Sequence, residues 1–179
     1  MCGRYLLKLD RSGKGKQILE RAEKLDLVYK EGEIFPNDPV LCIIPMESKI
    51  DLSVMKWGIA KHGFQINARM ESLQDRPTYT DMKDRRCAVV CSGFYEWDKD
   101  KRKYLVTTGD EVFYLGCIFN QDNELLVLTQ AADEKFARIH ERMPLILDQK
   151  EMIAFIHHRD ILTGKKELEF KPEDDLRLF

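Results

Sequence analysis

Cys87-Ala88-Val89-Val90-Cys91-Ser92-Gly93-Phe94-Tyr95-Glu96-Trp97-Asp98 is the most strand-like stretch of the chain. It is dense in Val, Phe, Tyr and Trp, side chains that fit the pleated, half-buried face of a sheet. One long strand is predicted over residues 87–98. Glu96 is the residue out of character, because Glu is depleted in strands and a solvent-facing site is its ordinary explanation. Its neighbours Tyr95 and Trp97 allow a second one, desolvation that raises the carboxyl pKa and suits proton transfer.

C-terminal to this stretch, strands are expected at roughly 103–108, 112–119 and 124–129, with a hairpin turn over 120–123 joining the last two. On the N-terminal side, residues 4–9 alternate loosely as a first strand. The runs 40–44 and 52–59 are apolar and β-branched. Ile18, Leu19, Ala22 and Leu25 recur at helical spacing and predict a surface helix over 17–28, preceded by a flexible basic turn at 11–16. The segment 35–39 holds two prolines and is expected to be irregular. A short helix over 68–74 would have Asn67 as its cap, and 77–86 would hold a further helical turn. Another short helix is expected over 133–141, closing near Met143 because the residue before Pro144 is pushed extended. A short strand at 145–147 and an amphipathic helix at 149–157 follow. The charged tail 160–179 reads as loosely packed. With no repeat and no linker, the sum is α+β: one domain over 1–179, a strand-rich core and peripheral helices.

The 179 residues suffice for one sizeable core. With 44% hydrophobic and 34% charged residues, the composition is that of a soluble globular domain. No apolar run reaches membrane-spanning length and no signal peptide is evident, so the expected location is the cytoplasm with no membrane partner. Five cysteines, an odd number, agree with reduced thiols. Cys87 and Cys91 lack the second pair or nearby His of a zinc site, so no metal and no cofactor is expected and both read as buried strand cysteines. A net charge of −2 does not advertise a nucleic-acid partner, although a local basic groove can sit on a neutral chain.

The chain opens Met1-Cys2-Gly3-Arg4-Tyr5. Removal of the initiator Met1 is expected with so small a second residue, and it would leave Cys2 as a free 1,2-aminothiol. An α-amine has a pKa of about 7.7–8, so much of it is neutral and nucleophilic near pH 7. Such a pair can condense with an aldehyde and close a five-membered ring. Three further polar positions stand out. Asn67, read alone, fits a helix cap; Glu96 fits a solvent face; His140, just ahead of Arg142-Met143-Pro144, fits a structural role. His62, His157 and His158 read as surface residues. Arg4, Arg69, Arg85, Arg86 and Arg142 lie close in sequence to these positions, and their guanidinium forks suit phosphate.

Together the pieces resemble the SOS response-associated peptidase (SRAP) family. The matching segments are Met1-Cys2-Gly3-Arg4-Tyr5, Trp57-Gly58, Asn67-Ala68-Arg69 with Glu71, Arg86-Cys87, Gly93-Phe94-Tyr95-Glu96-Trp97 and Ile139-His140-Glu141-Arg142-Met143-Pro144. They fall in family order from residue 1 to about 156. The resemblance implies a barrel-like sheet and covalent capture of abasic sites in single-stranded DNA. It assigns Cys2 as nucleophile, Asn67 as the residue that orients it, Glu96 as acid/base beside the amine, and His140 as proton carrier at the sugar oxygen. Arg4, Arg69, Arg85, Arg86 and Arg142 become DNA-binding residues, Trp57 or Trp97 a stacking platform, with core packing the favoured role for Trp97. The expected protein is a monomer. Phe35-Pro36-Asn37-Asp38-Pro39 departs from the family pattern. Two other functions fit the residues: a Cys-His amide hydrolase using Cys2, His140 and Asn67, and a single-strand-binding module in which Cys2 is incidental.

Overall fold

The computed structural model describes residues 2–47, 49–61, 63–159 and 166–173. Met1 and His62, together with most of the tail, lie outside the described residues.

β1 (Tyr5–Leu7) opens the fold with Tyr5 and Leu7 buried. α1 (Gly13–Lys24) follows, displaced four residues toward the N-terminus at both ends from the predicted 17–28. A distant group sets its start: Glu111 Oε1 accepts the amide of Gly15 at 3.1 Å, placing a carboxylate where the helix dipole favours one. Asp26, in a left-handed conformation, ends it.

β2 (Gly32–Ile34) precedes β3 (Pro39–Pro45) and β4 (Ile50–Trp57), which pair antiparallel from Pro39↔Lys56 to Pro45↔Ile50. After Trp57 the chain turns at Gly58, where φ is +109° and a Cβ would come within 2.7 Å of the Phe64 ring, so glycine is required. The predicted helix at 68–74 is absent. Asn67 instead begins β5 (Asn67–Arg69), because the backbone there is claimed by parallel pairing with a later strand, and only a 3-10 turn over Met70–Ser72 remains.

The long strand over 87–98 proves to be two: β6 (Arg86–Cys91) and β7 (Gly93–Trp97). They belong to different sheets, and Ser92 is the point of transfer. Its amide donates to Leu6 O at 2.8 Å, while its hydroxyl donates to Lys8 O at 2.8 Å and accepts from Lys8 N at 2.9 Å. β8 (Lys103–Thr107), β9 (Phe113–Phe119) and β10 (Glu124–Ala131) stand where expected. Asn120 organises the turn between the last two by accepting the amides of Asp122 and Glu124 on its side chain. The predicted helix at 133–141 shrinks to a 3-10 turn over Phe136–Arg138, since the chain must return at once as β11 (Arg142–Pro144) beside β10. β12 (Ile146–Leu147) and α2 (Gln149–Ile156) come next, α2 started by an Asp148–Glu151 capping box. Within the stretch read as a loose tail, β13 (Glu169–Pro172) pairs with β8.

The pairing order β4–β3–β6–β9–β10 returns to β4, because β10 pairs with β9 on one side and β4 on the other. This closed ring is the barrel. The second sheet runs β13-β8-β7-β1-β2. Tyr5, Trp57, Phe94, Phe113, Phe136 and Phe155 are fully buried in one continuous core. α2 lays Met152, Phe155 and Ile156 on β6 and β9. No helix among the described residues is long and apolar enough to cross a membrane.

Candidate active site

Cys2 precedes β1, an interior strand of the second sheet between β2 and β7. The antiparallel register pairs Tyr5 with Phe94, and the Tyr95 amide donates to Arg4 O at 2.9 Å. Extending that register brings Glu96 level with Gly3. Cys2 is wholly buried, its Sγ directed at the Arg4 carbonyl at 3.9 Å. Glu96 is only 3% exposed. Burying a carboxylate costs several kcal/mol, which makes this an unusual place for one. Desolvation first, and then the nearby Glu96 charge, push the Cys2 thiol up to about 12. The resting Cys2 side chain is therefore a thiol, not a thiolate.

Asn67 reaches this point from the barrel. β5 lies on β10 with Asn67 beside Val127, and the Asn67 Nδ2 donates to the Cys2 carbonyl at 2.9 Å. Its Oδ1 is buried without a hydrogen-bond partner among the described residues. The strand, not a helix cap, thus positions the amide. Cys2, Asn67 and Glu96 come together from residues far apart in the chain.

His140 is half-buried in the return between the 3-10 turn and β11, and its Nδ1 accepts the Arg142 amide at 3.0 Å. A nitrogen that accepts carries no proton, so the neutral ring holds its proton on Nε2.

The arginines divide. Arg4 lies 4.4 Å from the Phe35 ring and 5.3 Å from the Trp97 ring, and it pairs with Glu33 at 3.4 Å. Arg69 is exposed, and with Phe64, Asn67, Arg76 and Tyr79 it lines a cleft of about 370 Å³. Arg85 is half-buried, and its carbonyl accepts the Phe119 amide at 3.1 Å. Two of the proposed DNA-binding arginines are committed elsewhere. Arg86 donates to Phe155 O at 3.3 Å and sits 5.0 Å from the Phe155 ring, fastening α2 to the barrel. Arg142 is 9% exposed and forks onto Glu71, with its Nη2 also donating to Thr129 O at 2.8 Å.

The tryptophans reverse the expected order of burial. Trp57, expected as a stacking platform, is fully buried: it packs 5.5 Å from the Tyr5 ring and donates Nε1–H to Ile66 O at 2.9 Å. Burial of both ring and N–H leaves it no face for a base. Trp97, expected in the core, is half-buried beside Arg4. Pairings such as Glu71 with Arg142 and Glu33 with Arg4 carry no sequence signal, because nothing local marks which of many charges will meet. All five cysteines are buried and unpaired, Cys87 and Cys91 on β6 as expected.

A closed barrel with a second sheet beside it, and a buried cysteine, an amide and a carboxylate drawn to the head of β1 in that second sheet, define the class of protein. The sequence pattern of the "SOS response associated peptidase (SRAP)" family matches residues 1–177, and the chain belongs to that family. It is 27% identical over 180 residues to the abasic site processing protein YoqW of Bacillus subtilis, covering 84% of this chain and 78% of the relative. It is 25% identical to the abasic site processing protein YedK of Escherichia coli, with 93% and 83% of the two chains covered. A crystal structure of a protein from Bordetella bronchiseptica shares the fold with a TM-score of 0.73 at 18% identity, over 96% of this chain and 99% of the other.

Proposed function

We propose that this protein processes abasic sites in single-stranded DNA by forming a covalent adduct through Cys2 once Met1 has been removed. The observation that carries the reading is the Asn67 hydrogen bond to the Cys2 carbonyl, with the buried Glu96 carboxylate alongside. Family membership and the names of the curated relatives support it.

A ring-opened abasic sugar exposes an aldehyde at C1′. The neutral Cys2 amine adds to that carbon; loss of water leaves an imine. The thiol then adds across the C=N bond: sulfur bonds to carbon, the thiol proton passes to nitrogen, and a thiazolidine ring closes. Burial holds the thiol protonated in the chain that retains Met1, so we assign the first attack to the amine and removal of the S–H proton to a base as sulfur attacks. Glu96 is that base, and the proton donor during dehydration. Asn67 holds the Cys2 backbone so that amine and thiol approach one carbon. His140 moves a proton at the sugar O4′ as the ring opens. The same imine permits β-elimination as a side reaction, and the family's peptidase name would concern release of Met1. Arg4 and Arg69 are the arginines we assign to flanking phosphates. Five unpaired thiols suit a reducing cytoplasm.

Incubating Met1-free protein with an abasic single-stranded oligonucleotide should give a shifted band on a denaturing gel. An equal band from Cys2→Ala, or none from the wild type, overturns the proposal. Turnover of an amide substrate without a band would select the hydrolase reading. Unchanged DNA affinity with no adduct would select simple binding.

A further inference from the structure

We infer that Glu71 is a positioning residue for His140, acting through Arg142 across three adjacent strands. This rests on the reading of His140 as the proton carrier at the sugar.

Arg142 heads β11, level with Ala131 of β10, while Arg69 of β5 lies level with Thr129 on the other side of β10. Glu71 follows two residues after Arg69, in the 3-10 turn. The Arg142 guanidinium spans this gap. Nη1 and Nη2 meet the two oxygens of Glu71, and Nη2 also reaches Thr129 O at 2.8 Å and Thr129 Oγ1 at 3.2 Å. Planar, bidentate pairing of this kind fixes orientation as well as position. Four contacts on one fork, with the side chain only 11% exposed, leave the residue little freedom.

The consequence appears on the same residue's main chain. The Arg142 amide donates to His140 Nδ1 at 3.0 Å, which selects the Nε2–H tautomer and sets the ring plane. Whatever holds residue 142 therefore holds the proton of residue 140. Thr129 is wholly buried and structural, whereas the Glu71 side chain is 55% exposed and can be truncated without opening a cavity. Glu71 is the part of the brace that can be removed cleanly. Its charge also offsets that of Arg142.

The test is ¹⁵N NMR of the imidazole nitrogens in the Met1-free protein, with His140 assigned by comparison with His140→Gln, alongside adduct kinetics. In the wild type, His140 should show a bare Nδ1 and a protonated Nε2. Glu71→Ala should give averaged shifts of two tautomers and slow adduct formation by roughly 10–100-fold, below the full ~10²–10⁴-fold of a lost acid/base group. Affinity for intact single-stranded DNA should stay within about twofold, since no phosphate contact is removed. Glu71→Asp should restore part of both the tautomer and the rate. A protonated Nδ1 in the wild type, or unchanged shifts in Glu71→Ala, overturns the inference. If the wild type forms no adduct, the abasic-site reading fails while the spectra still decide the brace.

Discussion

Asn67 donates a 2.9 Å hydrogen bond to the carbonyl of Cys2, a residue 65 positions earlier. The bond ties the barrel to the head of the second sheet, and it uses the backbone carbonyl of Cys2, leaving the side chain and amine outside it. Asn67→Asp keeps the shape, replaces the donor with a carboxylate and sets it against the Cys2 carbonyl. Adduct formation should slow by roughly 10²-fold, the scale of an angstrom of misplacement, and the melting temperature should fall because the new carboxylate is buried against a carbonyl. Single-turnover rates on an abasic oligonucleotide measure this.

Burial keeps the Cys2 thiol protonated. With a pKa of about 12 in place of 9.0, roughly one molecule in 10⁴ is thiolate at pH 8, against about one in ten for an unfolded chain. Iodoacetamide at pH 8 should leave Cys2 unmodified in the native protein and label it within minutes in denaturant, read by peptide mass. The linkage has a definite sign. The folded state prefers the protonated form, so this contribution is complete below pH 9 and is lost as pH rises from 9 toward 12.

Trp57→Phe keeps most of the ring but removes the N–H that serves Ile66 O. A buried carbonyl left without its donor should lower stability by about 1–3 kcal/mol in urea denaturation. Affinity for single-stranded DNA should be unaffected, since the buried ring offers no face to a base.

Arg69 and Arg86 should behave in opposite ways. Arg69→Ala should weaken DNA binding and reduce the slope of log affinity against log salt by about 0.7 for a single lost phosphate contact, with no loss of stability. Arg86→Ala should leave that slope alone and loosen α2, seen as faster amide exchange over Gln149–Ile156.

Arg21 and Asp51 clip α1 onto β4, and the Arg21 hydrogen bonds hold the Asp51 carboxyl down at about 2. The folded state prefers the ionised form, so the stabilisation is full above pH 3.8 and is lost as pH falls toward 2. Asp51→Asn should remove that acid sensitivity from the melting curve and lower the melting temperature at pH 7.

Strands were legible where side chains alone dictate them, as at 40–44 and 112–119. The α+β class followed from their number. Local patterns failed where a partner far away took over the backbone: Asn67 looks like a helix cap until β10 pairs with it, and Glu111 sets the start of α1. The break at Ser92 was hidden because both halves of the stretch are apolar, and nothing in 87–98 shows that its two ends enter different sheets. Of the site, Cys2, Asn67 and Glu96 were legible through the family motifs, and the structure brings those three together. The roles of Trp57, Trp97, Arg86 and Arg142 were not, since burial and charge pairing belong to the whole fold.

The location of β1 between β2 and β7 also governs time. A ribosome adding about 5–20 residues per second needs several seconds after Cys2 to complete β7 and with it Glu96, and longer still to reach His140. During that interval the earliest part of the chain has no strand on its far side, no amide on its carbonyl and no carboxylate beside it. If Cys2 reacts as proposed above, a growing chain carries its aminothiol uncovered before the groups assigned to ring closure exist, and the assembled site arrives only with the finished protein.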